Sequence, residues 1–212
     1  MSALTTVGLL GSSHISRFPL PIFREHLIKP IIVSDNPRNT QAFIQNNTIQ
    51  SILTYITTQN ITLDYIFIMI GANDIGRLTH RQITNNLIHI AQHFQKLNIT
   101  PIIAPIINRE SPRNITRAVY NTNRNHINKA LRKHFKKHNQ QNLLKIHNLK
   151  LNNDGVHLTQ SSYKTLAKAI KHHITRHITL TQSNIAEYMH LEPGHYIDTQ
   201  SNEEITIEHI ME

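Results

Sequence analysis

The run LDYIFIMIG at 63–71 constrains the fold more than any other stretch of the sequence. It is nearly continuously apolar, rich in β-branched and aromatic residues, too short for an ordinary globular helix and far too short to cross a bilayer. A run of that kind fits a central parallel strand covered on both faces. Four shorter runs share its character: LTTVGLL at 4–10, PIIV at 30–33, TPIIAPI at 100–106 and NLLKIHNL at 142–149. Between them the apolar positions fall at helical spacing: Phe43, Ile44, Ile52, Leu53 and Ile56; then Ile83, Leu87, Ile90 and Phe94; then Val119, Ile127, Leu131 and Phe135. Thr40 and Thr159 stand where N-caps are needed, and the helical runs extend from Thr40 to about Thr58, from Thr79 to Leu97, from about Thr116 to His138 and from Thr159 to roughly His173. A first helix over roughly 14–28 meets Pro19 and Pro21, so it begins after them or is irregular. Strand and helix alternating in short units predict a three-layer α/β sandwich around a central, mostly parallel sheet of five strands.

In such a sheet, ligands bind beyond the carboxyl ends of the strands, which directs attention to the loops after strands one, three and five. The first is GSSH, Gly11–His14. A serine directly after a buried strand and before a helix exposes its hydroxyl at the sheet edge, beside backbone amides that suit an oxyanion; taken alone, a serine-rich turn is commonplace. The second is GAND, Gly71–Asp74, where glycine permits a tight strand exit, Asn73 can offer an amide N–H, and Asp74 caps a turn. The third holds Asp154 and His157, three residues apart. An imidazole acts as general base toward a serine when a carboxylate fixes its tautomer. Sixteen histidines make any one unremarkable, but His157 lies in a polar loop past the last strand, beside a carboxylate.

The order Ser, Asn, Asp-x-x-His, each after a strand, resembles the SGNH/GDSL hydrolases. GSSH at 11–14 is similar to their first block, GAND at 71–74 to the third, and DGVHLTQSSYKTLA at 154–167 to the last. The resemblance implies a flavodoxin-like αβα fold and a serine esterase or acyl hydrolase in which Ser13 is the nucleophile, His157 the general base and Asp154 its partner. It also implies an oxyanion hole made of the Ser13 amide and Asn73. Two departures stand out. The residue before the nucleophile, usually acidic, is Ser12, and the second block, normally the source of an oxyanion-hole glycine, reads SDNPRNTQAF with Arg38 or Asn39 near the expected place. A looser resemblance, carried by GSSHISRF, IGANDI with a following basic helix, and DGVHLT, is to the compact SGNH domains of animal retroelements and related viral genomes. That likeness keeps open a non-catalytic nucleic-acid-binding or assembly protein on the same scaffold.

Charge is distributed unevenly. The 22 Lys and Arg residues all lie at or before Arg176, with only six acids among them, so 1–176 carries +16 of formal charge, while 177–212 holds the other seven acids. The expected division is thus a hydrolase-like domain over 1–176 and an acidic extension over 177–212. Between Arg109 and Lys150 eleven basic residues face one acid, Glu110, and Arg124, Arg132, Lys133, Lys136 and Lys137 form the densest candidate anion-binding set. That balance leaves open a nucleic acid, an anionic phospholipid surface, or the chain's own acidic tail as partner. The absence of cysteine excludes a thiol nucleophile and cysteine-based metal sites; no clustered ligand motif implies a metal, and no cofactor is expected. MSALTTVGLLGSSHISRF makes a poor signal peptide, no transmembrane segment is expected, and the expected location is cytoplasmic or otherwise intracellular.

Overall fold

The computed structural model describes residues 5–21, 23, 28–34, 39–45, 48–138, 142–189, 194–197 and 204–207. Its core is a parallel sheet of β1 (Thr5–Gly11), β2 (Ile28–Ser34), β3 (Tyr65–Met69) and β4 (Thr100–Ile103), in the order β2-β1-β3-β4. Each pairing is parallel, with Val7 opposite Tyr65 and Tyr65 opposite Thr100, and the β1–β2 register shifts between Leu9 and Leu10. β1 and β3 occupy the centre because they are the most apolar: all of β3 is buried, as are the last five residues of β1. Alternation divides β3 between two layers. Ile66 and Ile68 join Leu10, Ile83, Leu87, Ile90, Phe94, Ile103 and Leu131 in one cluster, while the equally buried Tyr65, Phe67 and Met69 point the other way.

The sheet has four strands, not the expected five. Residues 142–149 approach β4, but pairing is confined to one isolated bridge, Ile103 to Leu143, held by Ile103 N–H to Asn142 O at 2.6 Å and Leu144 N–H to Ile103 O at 2.8 Å. Beyond Leu144 the composition no longer favours a covered strand. Lys145, His147 and Asn148 are exposed, and Asn148 takes a left-handed φ of 57°, which an extended strand cannot accommodate.

The helices are α1 (Ser13–Ser16), α2 (Thr40–Gln45), α3 (Thr48–Thr58), α4 (His80–Gln95), α5 (Arg117–Lys137) and α6 (Gln160–Met189). α1 is a single turn that ends ahead of Pro19, and the expected helix from Thr40 to Thr58 is two helices. Thr79 caps α4 in a reciprocal capping box with Gln82, and Thr116 caps α5 through the Val119 N–H. α6 runs well past the expected end near His173, with no glycine or proline to stop it before Met189. The chain divides into two compact units, Met1–His173 and Ile174–Glu212. The first carries the sheet. In the second, the end of α6 is followed by an antiparallel pair, β5 (Gly194–Ile197) and β6 (Glu204–Ile207).

Candidate active site

Ser13 opens α1 directly past the carboxyl end of β1. The turn is closed by Ile15 N–H to Ser12 O at 2.8 Å and Phe18 N–H to Ile15 O at 3.0 Å, which leaves the Ser13 side chain exposed while His14 and Ile15 go inward. His157 reaches it from a loop 144 residues away in sequence, with His157 Nε2 2.9 Å from Ser13 Oγ. On the other side of the ring, His157 Nδ1 lies 2.6 Å from Asp154 Oδ2. Asp154 Oδ1 accepts the backbone N–H groups of Val156 at 2.9 Å and His157 at 2.8 Å. The backbone N–H of His157, then its ring N–H and the Val156 N–H, hold the Asp154 carboxyl well below the usual carboxylate range. An ionised carboxylate only accepts, so Nδ1 carries the ring proton, and in the neutral ring Nε2 presents its lone pair to the Ser13 hydroxyl.

Gly155 makes that loop sterically feasible. Its φ is +64°, and a Cβ there would stand 2.9 Å from Ser111 Oγ and 3.0 Å from Glu110 Cβ. The Gly155 carbonyl accepts the Glu110 N–H at 2.8 Å, fastening the Asp154–His157 loop to the segment after β4.

Asn73 follows β3, where Gly71 turns the chain with φ +104°. Its carboxamide orientation is set by Arg109, whose Nη2 lies 2.8 Å from Asn73 Oδ1. A guanidinium cannot accept a hydrogen bond, so the atom facing it must be the oxygen, and the donor nitrogen occupies the other branch of the carboxamide. The segment that leads to Arg109 is held from α5: the buried Asn128 side chain bonds both Ile106 N at 2.8 Å and Ile106 O at 2.9 Å, and Tyr120 Oη donates to Ile107 O at 3.1 Å. Asp74 does more than cap a turn. It is buried, with its carboxylate accepting the Thr40 N–H at 2.9 Å and 3.2 Å, and burial pushes its carboxyl up to about 6 against those hydrogen bonds. It thus ties the Asn73 loop to the start of α2.

Ser13, Asn73, Asp154 and His157 share the lining of one cavity of about 750 Å³ with Ile75, Arg77, Arg109, Arg113, Tyr120 and Val156. Asn39, expected near an oxyanion donor, is half-buried, accepts the Phe43 N–H through its carbonyl at 3.2 Å, and is not a lining residue; Arg38 lies outside the described residues. None of the expected anion-binding set on α5 lines the cavity either. Arg132, Lys133, Lys136 and Lys137 are exposed, and the half-buried Arg124 bonds Asn125 Oδ1 at 3.0 Å and 3.3 Å. No group of three His, Asp or Glu residues among the described residues is placed to hold a metal, and no described helix is long and apolar enough to cross a membrane.

Two residues beside these side chains carry no assignment from the sequence. Arg109 looked like one more residue of a basic stretch, yet it is 8 % exposed, and its burial lowers its pKa. His14 is buried with its ring 5.4 Å from that of His157 and its Nδ1 3.5 Å from Tyr163 Oη; desolvation, with nearby His157, Arg109 and Arg17, lowers its pKa to about 4, so it is neutral near pH 7. Its position within GSSH, beside the serine, was the only available signal.

The profile of the GDSL-like lipase/acylhydrolase family matches residues 31–170, well over half of the chain, a span that contains Asn73, Asp154 and His157 and begins after Ser13. Among solved structures, a GDSL-like lipase from Bacteroides thetaiotaomicron superposes with a TM-score of 0.59 at 14 % identity, covering 83 % of this chain and 90 % of that one. A psychrotrophic esterase from Pseudoalteromonas, in a structure inhibited by monoethylphosphonate, gives 0.58 at 13 % identity, covering 82 % of this chain and 99 % of that one. At these identities the likeness speaks for the fold, and no curated protein matches the chain. The profile match decides the family, and the protein is a member of the GDSL-like, or SGNH, hydrolases.

Proposed function

We propose that the protein is a serine esterase that works through Ser13, His157 and Asp154. The observation that carries this reading is the continuous hydrogen-bond relay, 2.9 Å from Ser13 Oγ to His157 Nε2 and 2.6 Å from His157 Nδ1 to Asp154 Oδ2, opening on a cavity lined by all three. Ser13 Oγ attacks the ester carbonyl carbon as His157 Nε2 takes its proton, and Asp154 stabilises the imidazolium that forms. Charge on the tetrahedral oxygen is met by the Asn73 amide and the Ser13 backbone N–H. Collapse breaks the bond to the alcohol oxygen, which takes the proton from His157 and departs. Water then attacks the acyl-Ser13 carbonyl, giving its proton to His157, and the second collapse returns that proton to Ser13 and releases the acid.

Ser12 in place of an acid before the nucleophile removes no atom from this relay. The family membership and the solved lipases and esterases of the same fold agree with the reading. Hydrolysis of 4-nitrophenyl acetate by the purified chain tests it: turnover above background that disappears with Ser13→Ala supports an esterase, and equal rates in both proteins exclude it.

A further inference from the structure

Three arginines, Arg77, Arg109 and Arg113, line the cavity beside Ser13 and His157. They come from two loops, one after β3 and one after β4, so chain adjacency does not account for their convergence. Among the described residues Asp154 is the cavity's only lining carboxylate, and its hydrogen bonds go to His157 and Val156, with Arg17 at 3.8 Å. Among the described residues no carboxylate lies within ion-pair distance of Arg77, Arg109 or Arg113.

Arg109 is the most informative of the three. It is more than nine-tenths buried, one Nη2 N–H is taken by Asn73 Oδ1, and the buried Nε has no hydrogen-bond partner among the described residues. A guanidinium stays charged in a protein, and a buried charge without a counter-ion is costly. The planar fork of N–H donors suits a carboxylate or phosphate, with Arg77 and Arg113 exposed at the same cavity to add field and contacts. Neutral substrates would leave this arrangement uncompensated. Asp74 acts on Arg77 from its buried place behind the loop, and Asp154 on the cavity wall is already neutralised by its ring partner during turnover.

We propose that the cavity recognises anionic esters, in which a carboxylate or phosphate a few bonds from the scissile carbonyl takes up the missing counter-charge of Arg109 between Arg77 and Arg113. This rests on the esterase reading for the chemistry, but the anion site itself does not need turnover. An anion bound there would also couple binding to catalysis, because an ion pair closed on Arg109 steadies the residue that orients Asn73.

Two matched pairs of esters test the proposal on the full chain: 4-nitrophenyl butyrate against 4-nitrophenyl hemiglutarate, with the anion on the acyl side, and monoacetin against acetylglycerol 3-phosphate, with the anion on the alcohol side. The expected result is a preference in kcat/KM of about tenfold or more for the anionic member of at least one pair, as charge-assisted hydrogen bonds warrant. That preference falls toward parity in the exposed double variant Arg77→Gln/Arg113→Gln and weakens at raised salt; whichever pair responds identifies the side that carries the anion. Hydrolysis of the neutral esters with no preference in either pair overturns the inference and leaves the esterase standing. If no ester is hydrolysed, the esterase reading fails, and thermal melts of Ser13→Ala with inorganic phosphate decide the anion site. A saturable rise in Tm that is absent in Ser13→Ala/Arg109→Gln upholds it, and no rise overturns it.

Discussion

Two pairs of side chains organise the cavity, and they are built in opposite ways. Asp154 and His157 are three residues apart in one tight loop, with the carboxylate held by the backbone N–H groups of Val156 and His157 as well as by the ring. Asn73 and Arg109 are 36 residues apart on loops after different strands, and each depends on the packing of other elements: Asp74 on Thr40 behind the first, Asn128 and Tyr120 of α5 behind the second. The local pair is a self-contained unit, whereas the distant pair is only as well placed as the sheet and helices that carry it. Mutations near the first should therefore act on chemistry with little effect on folding, and mutations behind the second should move both.

The largest expected effect is on the local pair. His157→Ala removes the base and should lower kcat on a neutral ester by about 10⁴-fold or more, with Asp154→Asn about 10³- to 10⁴-fold down through loss of the fixed tautomer. Circular dichroism of both variants should match the parent, with at most a modest fall in Tm, since the Asp154 carboxylate is stabilised by its hydrogen bonds in the folded chain and the His157 ring is half-buried. Next comes Asn73→Ala, for which the removal of one oxyanion donor predicts a fall of about 10²- to 10³-fold in kcat at nearly constant KM.

Arg109→Gln sharpens the contrast between the pairs. On the neutral ester it should cost roughly tenfold, because Asn73 keeps its donor but loses its fixed orientation. Its effect should vanish in the Asn73→Ala background, since both changes act through one amide. Additive losses would show that Arg109 acts on the reaction independently of Asn73.

The smallest effect is a pH dependence of stability, in which the loops after β1 and β3 oppose each other. His14, lowered from 6.5 to about 4, leaves the folded chain short of a proton that the unfolded chain binds between those values. Its contribution is complete above about pH 6.5 and is lost as pH falls toward 4. Asp74, raised from 3.8 to about 6, holds a proton in the folded chain that the unfolded chain has released. Its contribution therefore declines as pH rises from about 4 to 6. The two slopes offset one another in the parent. Melts between pH 4 and 7 should rise more steeply with pH in Asp74→Asn and flatten or fall in His14→Gln.

What the sequence disclosed follows the same division. Short-range signals were legible: the apolar run of β3, the helical spacing of α4 and α5, and Asp154 with His157, because each is a pattern over a few neighbouring residues. The meeting of Ser13 with His157 was legible only through the rule that strand-end loops of a parallel sheet converge, and through resemblance to a family. The burial of Arg109 was not legible, since nothing adjacent to it distinguishes it from Arg113 or Arg117. The fifth strand was over-read from NLLKIHNL: the two leucines suffice for one bridge, but Lys145, His147 and the left-handed Asn148 end the pairing that hydrophobicity alone suggested. The basic stretch 109–150 is densest on α5, whereas two of the three arginines that line the cavity, Arg109 and Arg113, stand at its beginning, before that helix.

The central claim is that Ser13 is a nucleophile activated by His157, and covalent labelling tests it most directly. A fluorophosphonate probe should add one phosphonyl group to the intact chain, located by peptide mass mapping on Ser13, absent in Ser13→Ala, retained in Ser12→Ala and strongly slowed in His157→Ala. A folded protein that takes up no label, or whose label maps to another serine, would contradict the account.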